Sequence, residues 1–401
     1  MNGSYMIYRR DPATGIRSEL LERYTEFSIN LNWGEVSKFQ ITGTTIGKVE
    51  LEPGDGLVWY RNGVKFFCGI VDSVEVECAD TAADLKTWTA DGFEDSVIFA
   101  RWLAFADPAV VTFAEGVVDK YSGYADERQL HYIRYNMGPE ALAGRVLDGL
   151  TVPAAHSIGQ DTRSAYRYEP LDQVLQEIGA EEEDGQPNNC YPRFVWDPDT
   201  GAKSVVIETQ RDRTDILIAP EFSNIAKWTR TKTLPTCNAV WVCSGDYKDP
   251  DDEEKEIRIW VSAEDAESIA KYGRFEKVVT ASDVKVGTYD DVTTTEAEAY
   301  DLLNNEAAKA LSEGAAVTKF SGDMVETPEL RFMTDWQCGD LVTCIIDGES
   351  FATTIKTVEI KYAEGFEEVT PTLGECEHGQ LSEIFKQLRG LDTRMREEEL
   401  N

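Results

Sequence analysis

Residues 51–77 read LEPGDGLVWYRNGVKFFCGIVDSVEVE, and this segment gives the clearest indication of the fold class of the N-terminal region. The apolar segment Leu57–Tyr60 runs into Asn62 and Gly63, a pair that supplies the positive φ angles of a tight hairpin turn. The segment from Val64 to Glu77 then alternates between apolar and polar residues, as a half-buried strand does. The stretch therefore predicts an antiparallel β-hairpin.

Further strand-like segments precede the hairpin. SYMIYRRD (4–11), EFSINLNW (26–33) and KFQITGT (38–44) are short, rich in apolar or β-branched residues, and separated by turn residues such as DPATG (11–15). Several short strands joined by turns are typical of an all-β sandwich or barrel. Residues 1–100 are therefore predicted to form a first small antiparallel β-barrel.

The composition shifts toward helix after residue 100, and residues 101–225 are predicted to form a middle α/β domain. Apolar spacing of three and four predicts helices over 95–105, 138–150 and 169–182. RFVWDPDTGAKSVVIET (193–209) reads as a β-pair around Asp197–Gly201. That turn resembles a calcium loop but lacks the remaining ligands and the bidentate Glu, so a plain turn is predicted.

Strand-like segments return over residues 226–376, where a second β-barrel is predicted with a helical insert at about 262–314. Within the insert, residues 293–314 read as a helix with Thr295 as N-cap and Gly314 at its end. Its apolar stripe consists of Ala299, Leu302, Leu303, Ala307 and Leu311. The acidic run YKDPDDEEKE (247–256) is predicted to be a solvated hairpin loop, with a cation site as the alternative.

Cysteine pairs six residues apart occur twice, in CNAVWVC (237–243) and CGDLVTC (338–344). Six residues of strand span about 20 Å, so neither pair can bind one metal ion or close its own disulfide. We expect Cys237, Cys243, Cys338 and Cys344 to be reduced, buried and metal-free, with a disulfide between the two segments as the alternative. Both faces of CNAVWVC are largely apolar, which predicts a strand buried on both sides or covered by a partner chain.

Charge and motifs exclude several classes of function. The chain has 39 basic and 74 acidic residues, a net charge of −35, which argues against a surface that grips phosphate. His131, His156 and His378 stand at no metal-ligand spacing, and no GxSxG, Walker A or GxGxxG motif is present. We expect no catalytic, cofactor-binding or metal-binding residues and no cofactor. The apolar stretches also predict neither a signal peptide nor a membrane-spanning segment.

The C-terminal residues 377–401 are predicted to form an amphipathic helix. Its apolar residues repeat with spacing three, four, three, four, as an a/d heptad seam: Leu381, Ile384, Leu388, Leu391 and Met395. One interpretation is a helix folded back on its own domain. The other, which we favour because the outer positions are almost all polar, is a seam that makes contacts between chains.

The order of these segments resembles the baseplate hub, or tail-tip tail-associated, protein of tailed bacteriophages, in the version found in siphophages. The series that carries the resemblance is the 51–77 hairpin, the helical middle, PTCNAVWVCSGD (235–246), WQCGDLVTCIIDGE (336–349) and TVEIKYAEGFEEVTPTLGE (357–375). The resemblance implies an α+β, β-rich chain with two small barrels joined by α/β segments. In that family the chains form a homotrimer whose six barrels continue the symmetry of the tail tube, and CNAVWVC would sit in the second barrel.

The resemblance also implies a function. The chain would be a structural virion protein, not an enzyme, that forms a hub at the distal end of the tail tube. Its partners would be a distal tail protein, a tape measure protein and fibre or receptor-binding proteins, with DNA only in transit. It would be made in the host bacterial cytoplasm and reside at the virion tail tip. Its negative charge would then keep DNA from adhering to the channel. The rival interpretations are a carbohydrate-binding protein for the host surface and a cell-wall hydrolase.

Overall fold

The computed structural model of this chain describes residues 3–80, 84–105, 119–183, 186–249, 252–282, 284–289, 292–316 and 318–374. It is an α+β structure dominated by strands, as predicted. The chain divides into two compact units. One comprises Met1–Trp228 together with Ser321–Asn401, and the other comprises Thr229–Phe320.

Seven strands form the N-terminal part of the first unit: β1 (Tyr5–Arg10), β2 (Arg17–Leu20), β3 (Tyr24–Asn32), β4 (Lys38–Ile46), β5 (Gly56–Arg61), β6 (Val64–Asp80) and β7 (Leu85–Glu94). Their order in the sheet is β3-β4-β7-β6-β5-β1-β2. The predicted hairpin is β5–β6, and its turn has φ of 53° at Asn62 and 79° at Gly63. The Asn-Gly signal therefore identified the turn correctly, because both residues adopt the left-handed conformation that such a hairpin requires.

The C-terminal strands continue the same sheet. They are β15 (Asp212–Ile218), β16 (Ile225–Lys232), β24 (Thr318–Met324), β25 (Leu341–Ile346), β26 (Glu349–Ala363) and β27 (Phe366–Gly374). β26 pairs with β3 in antiparallel register, with Ile360 opposite Ile29, and so joins the two ends of the chain in one 13-stranded sheet. The two predicted strand-rich regions are thus connected by backbone hydrogen bonds. Their closure into two separate barrels remains a proposal.

The middle of the chain packs two helices and short strands around a core of its own. Its elements are a 3-10 helix (Asp95–Arg101), β8 (Asp119–Gly123), α1 (Ala125–Asn136), β9 (Leu150–Thr151), β10 (Thr162–Tyr166), α2 (Leu171–Ala180), β11 (Glu182–Glu183), β12 (Gln186–Pro187), β13 (Cys190–Trp196) and β14 (Lys203–Thr209). The predicted β-pair is β13–β14, and α2 confirms the helix predicted over 169–182. The helix predicted over 95–105 is a shorter 3-10 helix.

The helix predicted over 138–150 is wrong. That segment forms turns, and Gly144 and Gly149 have φ of 87° and 77°, values that an α-helix excludes. The helix that exists, α1, escaped detection because its buried face contains polar side chains. Gln129, which is fully buried, donates to the carbonyl oxygens of Leu175 (2.9 Å) and Cys190 (3.0 Å). Apolar periodicity cannot find a helix whose core side is held by such bonds.

The second compact unit, which we call the inserted unit, consists of residues 229–320. Its elements are β17 (Ala239–Ser244), β18 (Tyr247–Asp249), β19 (Asp252–Ile257), β20 (Trp260–Glu264), α3 (Ala266–Tyr272), β21 (Glu276–Ala281), β22 (Gly287–Tyr289), β23 (Val292–Thr294) and α4 (Glu296–Glu313). Strands β20-β17-β21 form a three-stranded sheet, and α4 packs against it. CNAVWVC lies here and not in the sheet of the C-terminal strands, so its predicted place in the second barrel is wrong.

The helix α4 begins as predicted. The Thr295 hydroxyl accepts from the Glu298 amide (3.3 Å), and the Glu298 carboxylate accepts from the Thr295 amide (2.7 Å), which is a capping box. Ala299, Leu303 and Ala307 of the predicted stripe are buried. The prediction that Leu302 belongs to this apolar stripe is wrong, because Leu302 is 45% exposed. In the part of the chain that the structure describes, no helix is long and apolar enough to cross a membrane.

Candidate functional site

A broad candidate surface of the first unit is the solvent side of six neighbouring strands, β27-β26-β3-β4-β7-β6. The registers between these strands place one set of half-exposed or exposed side chains side by side. We call this set the polar face: Glu26, Ser28, Asn30, Lys38, Gln40, Thr42, Thr44, Ser73, Glu75, Glu77, Thr87, Thr89, Asp91, Glu359, Lys361, Glu368 and Thr370.

Hydroxyl, amide and carboxylate groups dominate the polar face. Gln40 donates to Asp91 on the next strand (2.9 Å), and the hydroxyls of Thr42 and Thr89 are 3.2 Å apart. Its charged members are six carboxylates and two lysines, and one of those lysines, Lys361, is paired with Glu359 on its own strand. The polar face therefore has excess negative charge and no arginine, which makes it unsuited to holding a phosphate backbone.

The opposite side of the same strands is the core of the first unit. Ile29, Ile41, Ala90 and Ile360 are 0% exposed, and Trp88 is 4% exposed. Because side chains alternate along a strand, a shift of one residue in register would bury the polar face and expose this core. The buried side therefore fixes the register that assembles the polar face. The sequence alone does not identify this set, because only the strand order brings its members together.

A buried polar cluster connects the first strand to the last hairpin. The Arg61 guanidinium donates to both carboxylate oxygens of Glu367 at 2.7 and 3.1 Å, and these side chains are 8% and 2% exposed. The Gly3 amide (2.7 Å) and the Tyr5 hydroxyl also donate to Glu367. Burial raises the pKa of the Glu367 carboxyl, but the hydrogen bonds from Arg61 and Tyr5 outweigh it and leave the pKa below its usual value.

The cysteine segments lie in different compact units and on strands that do not pair. β17 pairs with β20 and β21, whereas β25 pairs with β15 and β26. Cys237, Cys243 and Cys344 are buried as predicted, but Cys338 is only partly buried. Burial raises the pKa of the Cys344 thiol to about 12, which makes it a poor nucleophile at neutral pH. The reduced, metal-free state of these thiols remains a prediction.

One face of the β17 sheet is partly open. Val240 and Val242 are buried, whereas Trp241 (43% exposed) faces solvent beside Trp260 (51%) and Val278 (62%) on the neighbouring strands. The prediction that CNAVWVC is buried on both sides holds for every residue of the segment except Trp241. The alternative, cover by a partner chain, stays a proposal.

The other candidate sites have structural explanations. Asp197 accepts from the amides of Asp199 (2.8 Å) and Thr200 (3.1 Å), which confirms the plain turn. His131 pairs with Asp119 at 3.0 Å and stacks on Tyr121. Among the described residues, no group of three or more His, Cys, Asp or Glu side chains is arranged to hold a metal ion.

Some predictions are only partly covered by the structure. The acidic run was predicted to be a hairpin loop, but most of it forms the paired strands β18 and β19, and its central residues lie outside the described ranges. His156 donates its backbone amide to Asp126 (2.6 Å), whereas His378 lies outside the described residues. The predicted seam Leu381, Ile384, Leu388, Leu391 and Met395 also lies outside them and remains a prediction.

Three solved structures share this fold over nearly the whole chain. A prophage tail protein, gp18, from Listeria monocytogenes EGD-e is 10% identical, with a TM-score of 0.53 over 96% of this chain and 99% of that one. The 43 kDa tail protein of prophage MuSo2 from Shewanella oneidensis is 10% identical, with a TM-score of 0.52 over 92% and 97%. A tail protein from Neisseria meningitidis MC58 is 12% identical, with a TM-score of 0.51 over 93% and 97%. At such identities the likeness shows the fold.

The chain's family is identified from its sequence. No curated protein sequence matches the chain. The sequence model of one family, described as Siphovirus ReqiPepy6 Gp37-like protein, matches residues 6–375. That range includes every segment on which the resemblance to siphophage tail proteins was based. The chain therefore belongs to the Siphovirus ReqiPepy6 Gp37-like protein family.

Proposed function

We propose that three copies of this chain form a hub at the distal end of the tail tube, with the polar face directed toward the channel through which DNA passes. The polar face is the observation that carries the proposal. It is a broad sheet surface with hydroxyl and amide groups, a net excess of carboxylates and no arginine. A wall of this kind repels phosphate and offers no firm contact to a moving DNA strand.

The continuous sheet supports a wall made of two strand-rich halves. β26 and β3 join the C-terminal strands to the N-terminal strands, and residues of both halves contribute to the polar face. Two barrels in each of three chains would supply six barrels, the number that matches a sixfold tail tube at its end. A closed ring also pairs the edge strands that a lone chain leaves exposed.

The remaining assignments concern partners. The proposed hub would contact a distal tail protein and the tape measure protein on the tube side, and fibre or receptor-binding proteins at the tip. The seam residues Leu381, Ile384, Leu388, Leu391 and Met395 would form a short parallel bundle on the axis, because the trimer holds three otherwise marginal helices close together.

The solution mass of the purified chain tests the trimer. One chain has a mass of 44.9 kDa, so light scattering should give three times that value. Substituting Gln40 and Asp91 on the polar face with lysine should leave this mass unchanged, because the proposed face lines a channel and makes no contact between chains. A monomer across the micromolar range, or loss of the trimer in those variants, would contradict the proposed arrangement.

A second candidate function is binding to carbohydrate on the host surface, and the open face of the inserted unit favours it. Trp241 and Trp260 are diagonal neighbours on adjacent strands, so two exposed indole rings lie on the same face of the sheet. Aromatic rings can stack on the apolar faces of sugars. Pull-down on intact host cells with Trp241→Ala and Trp228→Ala variants tests this function. Loss with the first but not the second would support it.

A further inference from the structure

A cavity of about 370 Å³ lies in the first unit. One wall is formed by residues between 213 and 224, which include part of β15, and the other wall is formed by residues between 327 and 335. Pockets that bind ligands usually have volumes of about 300–1,000 Å³, so this cavity is at the small end of that range. We call it the β15 cavity.

Hydrogen bonds within the chain hold the walls of the β15 cavity. The Arg213 guanidinium donates to the backbone carbonyl oxygen of Asp335 and so links the two walls. The Asn224 side chain accepts from the Ala219 amide and donates to the Leu217 carbonyl oxygen, both at 2.9 Å. Because these bonds exist without a ligand, an occupant would not have to order the walls before it binds.

The apolar part of the lining is unusually exposed. Leu217 is 42% exposed and Phe222 is 55% exposed, whereas Ile216 is buried. A phenyl ring attracts a cation placed over its face, and an exposed leucine can pack against the aliphatic stem of a long side chain. Both side chains also extend to solvent, so groups beside the occupant could cover them and exclude water.

The charged part of the lining has more carboxylates than cations. Its charged side chains are Arg213, Asp215, Glu329 and Asp335. Arg213 is already paired with Asp215 at 3.0 Å, and within the described ranges no ion pair involves Glu329. Arg331 does not line the cavity, and its guanidinium donates to the Pro328 carbonyl oxygen at 3.1 Å. A cationic occupant therefore complements the β15 cavity better than an anionic one.

We propose that the β15 cavity binds an arginine side chain of a partner protein. The guanidinium would pair with Glu329 and lie over the ring of Phe222, and apolar neighbours of the arginine would cover Leu217. Arginine fits better than lysine, because its planar guanidinium can form two bonds to one carboxylate and can stack on an aromatic ring.

The charge of the chain favours a partner other than a second copy. The sequence has 74 acidic and 39 basic residues, so two copies that approach each other with a net charge of −35 each repel. This proposal does not depend on the hub arrangement, because it concerns a cavity outside the polar face.

Fluorescence anisotropy of a labelled peptide tests the proposal with the full chain. The probe is an end-blocked tripeptide, leucine-arginine-leucine, that carries an uncharged dye. Its control has citrulline in place of arginine, which keeps the shape of the side chain but removes the charge. We expect saturable binding of the arginine peptide and at least about tenfold weaker binding of the citrulline peptide.

Two variants locate the binding to the β15 cavity. Glu329→Gln and Phe222→Ser should each weaken binding of the arginine peptide by about fivefold or more. Glu368→Gln is the matched control, since it removes one exposed carboxylate from the polar face and changes the net charge by the same amount. That control should leave binding unchanged, and circular dichroism establishes that each variant is folded.

Several results would overturn the proposal. They are the absence of saturable binding of the arginine peptide up to about 1 mM, equal binding of the two peptides, and unchanged binding to Glu329→Gln. A change in solution mass in Glu329→Gln would assign the β15 cavity to a second copy. Tighter peptide binding after removal of residues 375–401 would assign it to the chain's own C-terminus, and either of these results also overturns the proposal.

Discussion

Replacing Glu367 with glutamine should destabilise the first unit while leaving its shape intact. The carboxylate of Glu367 is the acceptor for Arg61, Tyr5 and the Gly3 amide. Glutamine keeps the volume but removes the charge, which leaves the Arg61 guanidinium buried with a carbonyl oxygen of Phe332 at 3.2 Å and the Glu326 carboxylate at 3.9 Å. Breaking a buried ion pair in this way costs about 3–5 kcal/mol. We expect about 3 kcal/mol, since Glu326 compensates part of the charge.

Guanidinium unfolding followed by tryptophan fluorescence measures this difference. The guanidinium concentration at the midpoint of unfolding should fall. The dependence of the free energy of unfolding on guanidinium concentration should stay constant, because the same surface is exposed on unfolding. Glu368→Gln is the matched control, since Glu368 is the adjacent residue on the same strand but is exposed on the polar face. That control should change the free energy of unfolding by less than about 0.5 kcal/mol.

The pH dependence provides an independent check. The pKa of Glu367 is lower in the folded chain than its usual value of 4.5, so its contribution to stability is complete above that pH and is lost as the pH falls through the folded pKa. The difference between the parent and Glu367→Gln should therefore be full at neutral pH and should narrow as the pH falls below 4.5. Equal stability of the two proteins at neutral pH would refute the assignment of the cluster as a buried ion pair.

Three further predictions follow from the other segments. Thiol titration of the denatured chain should find all eight cysteines free, and metal analysis should find no zinc; one zinc per chain, or fewer thiols, would contradict this. Substituting Asp251, Asp252, Glu253 and Glu254 with serine should leave the melting temperature nearly unchanged, because the sequence predicts that this acidic run is solvated. A loss of several degrees that calcium prevents in the parent would indicate a cation site. Leu388→Asp should weaken the proposed trimer without unfolding the chain, as sedimentation at decreasing concentration would show. Unchanged trimer dissociation in that variant and in a truncation at Glu377 would favour a helix folded on its own domain.

Local signals in the sequence identified individual elements well. Asn62 and Gly63 identified the β5–β6 turn, and Thr295 with Glu298 identified the start of α4, since each depends on contacts within a few residues. Local patterns failed to predict an element where contacts with distant residues stabilise it. Helix α1 is held by bonds from Gln129 to residues 46 and 61 positions away, which no local pattern reveals.

The larger errors have the same origin. The inserted unit begins with the strand-like segment CNAVWVC, so the sequence placed that segment in the second barrel and limited the insert to about 262–314, whereas the unit spans residues 229–320. The polar face was likewise hidden, because Gln40 and Asp91 meet only through the pairing of β4 with β7. The resemblance still indicated the family although these contacts could not be predicted, because it depended on the order of segments along the whole chain.

The most direct test of the proposed function is an electron cryomicroscopy reconstruction of the tail tip at side-chain resolution. We expect three copies of the chain around the tail axis, with Gln40, Glu75 and Asp91 of the polar face directed into the channel. A copy number other than three, or a polar face that points outward while lysine and arginine line the channel, would contradict the account.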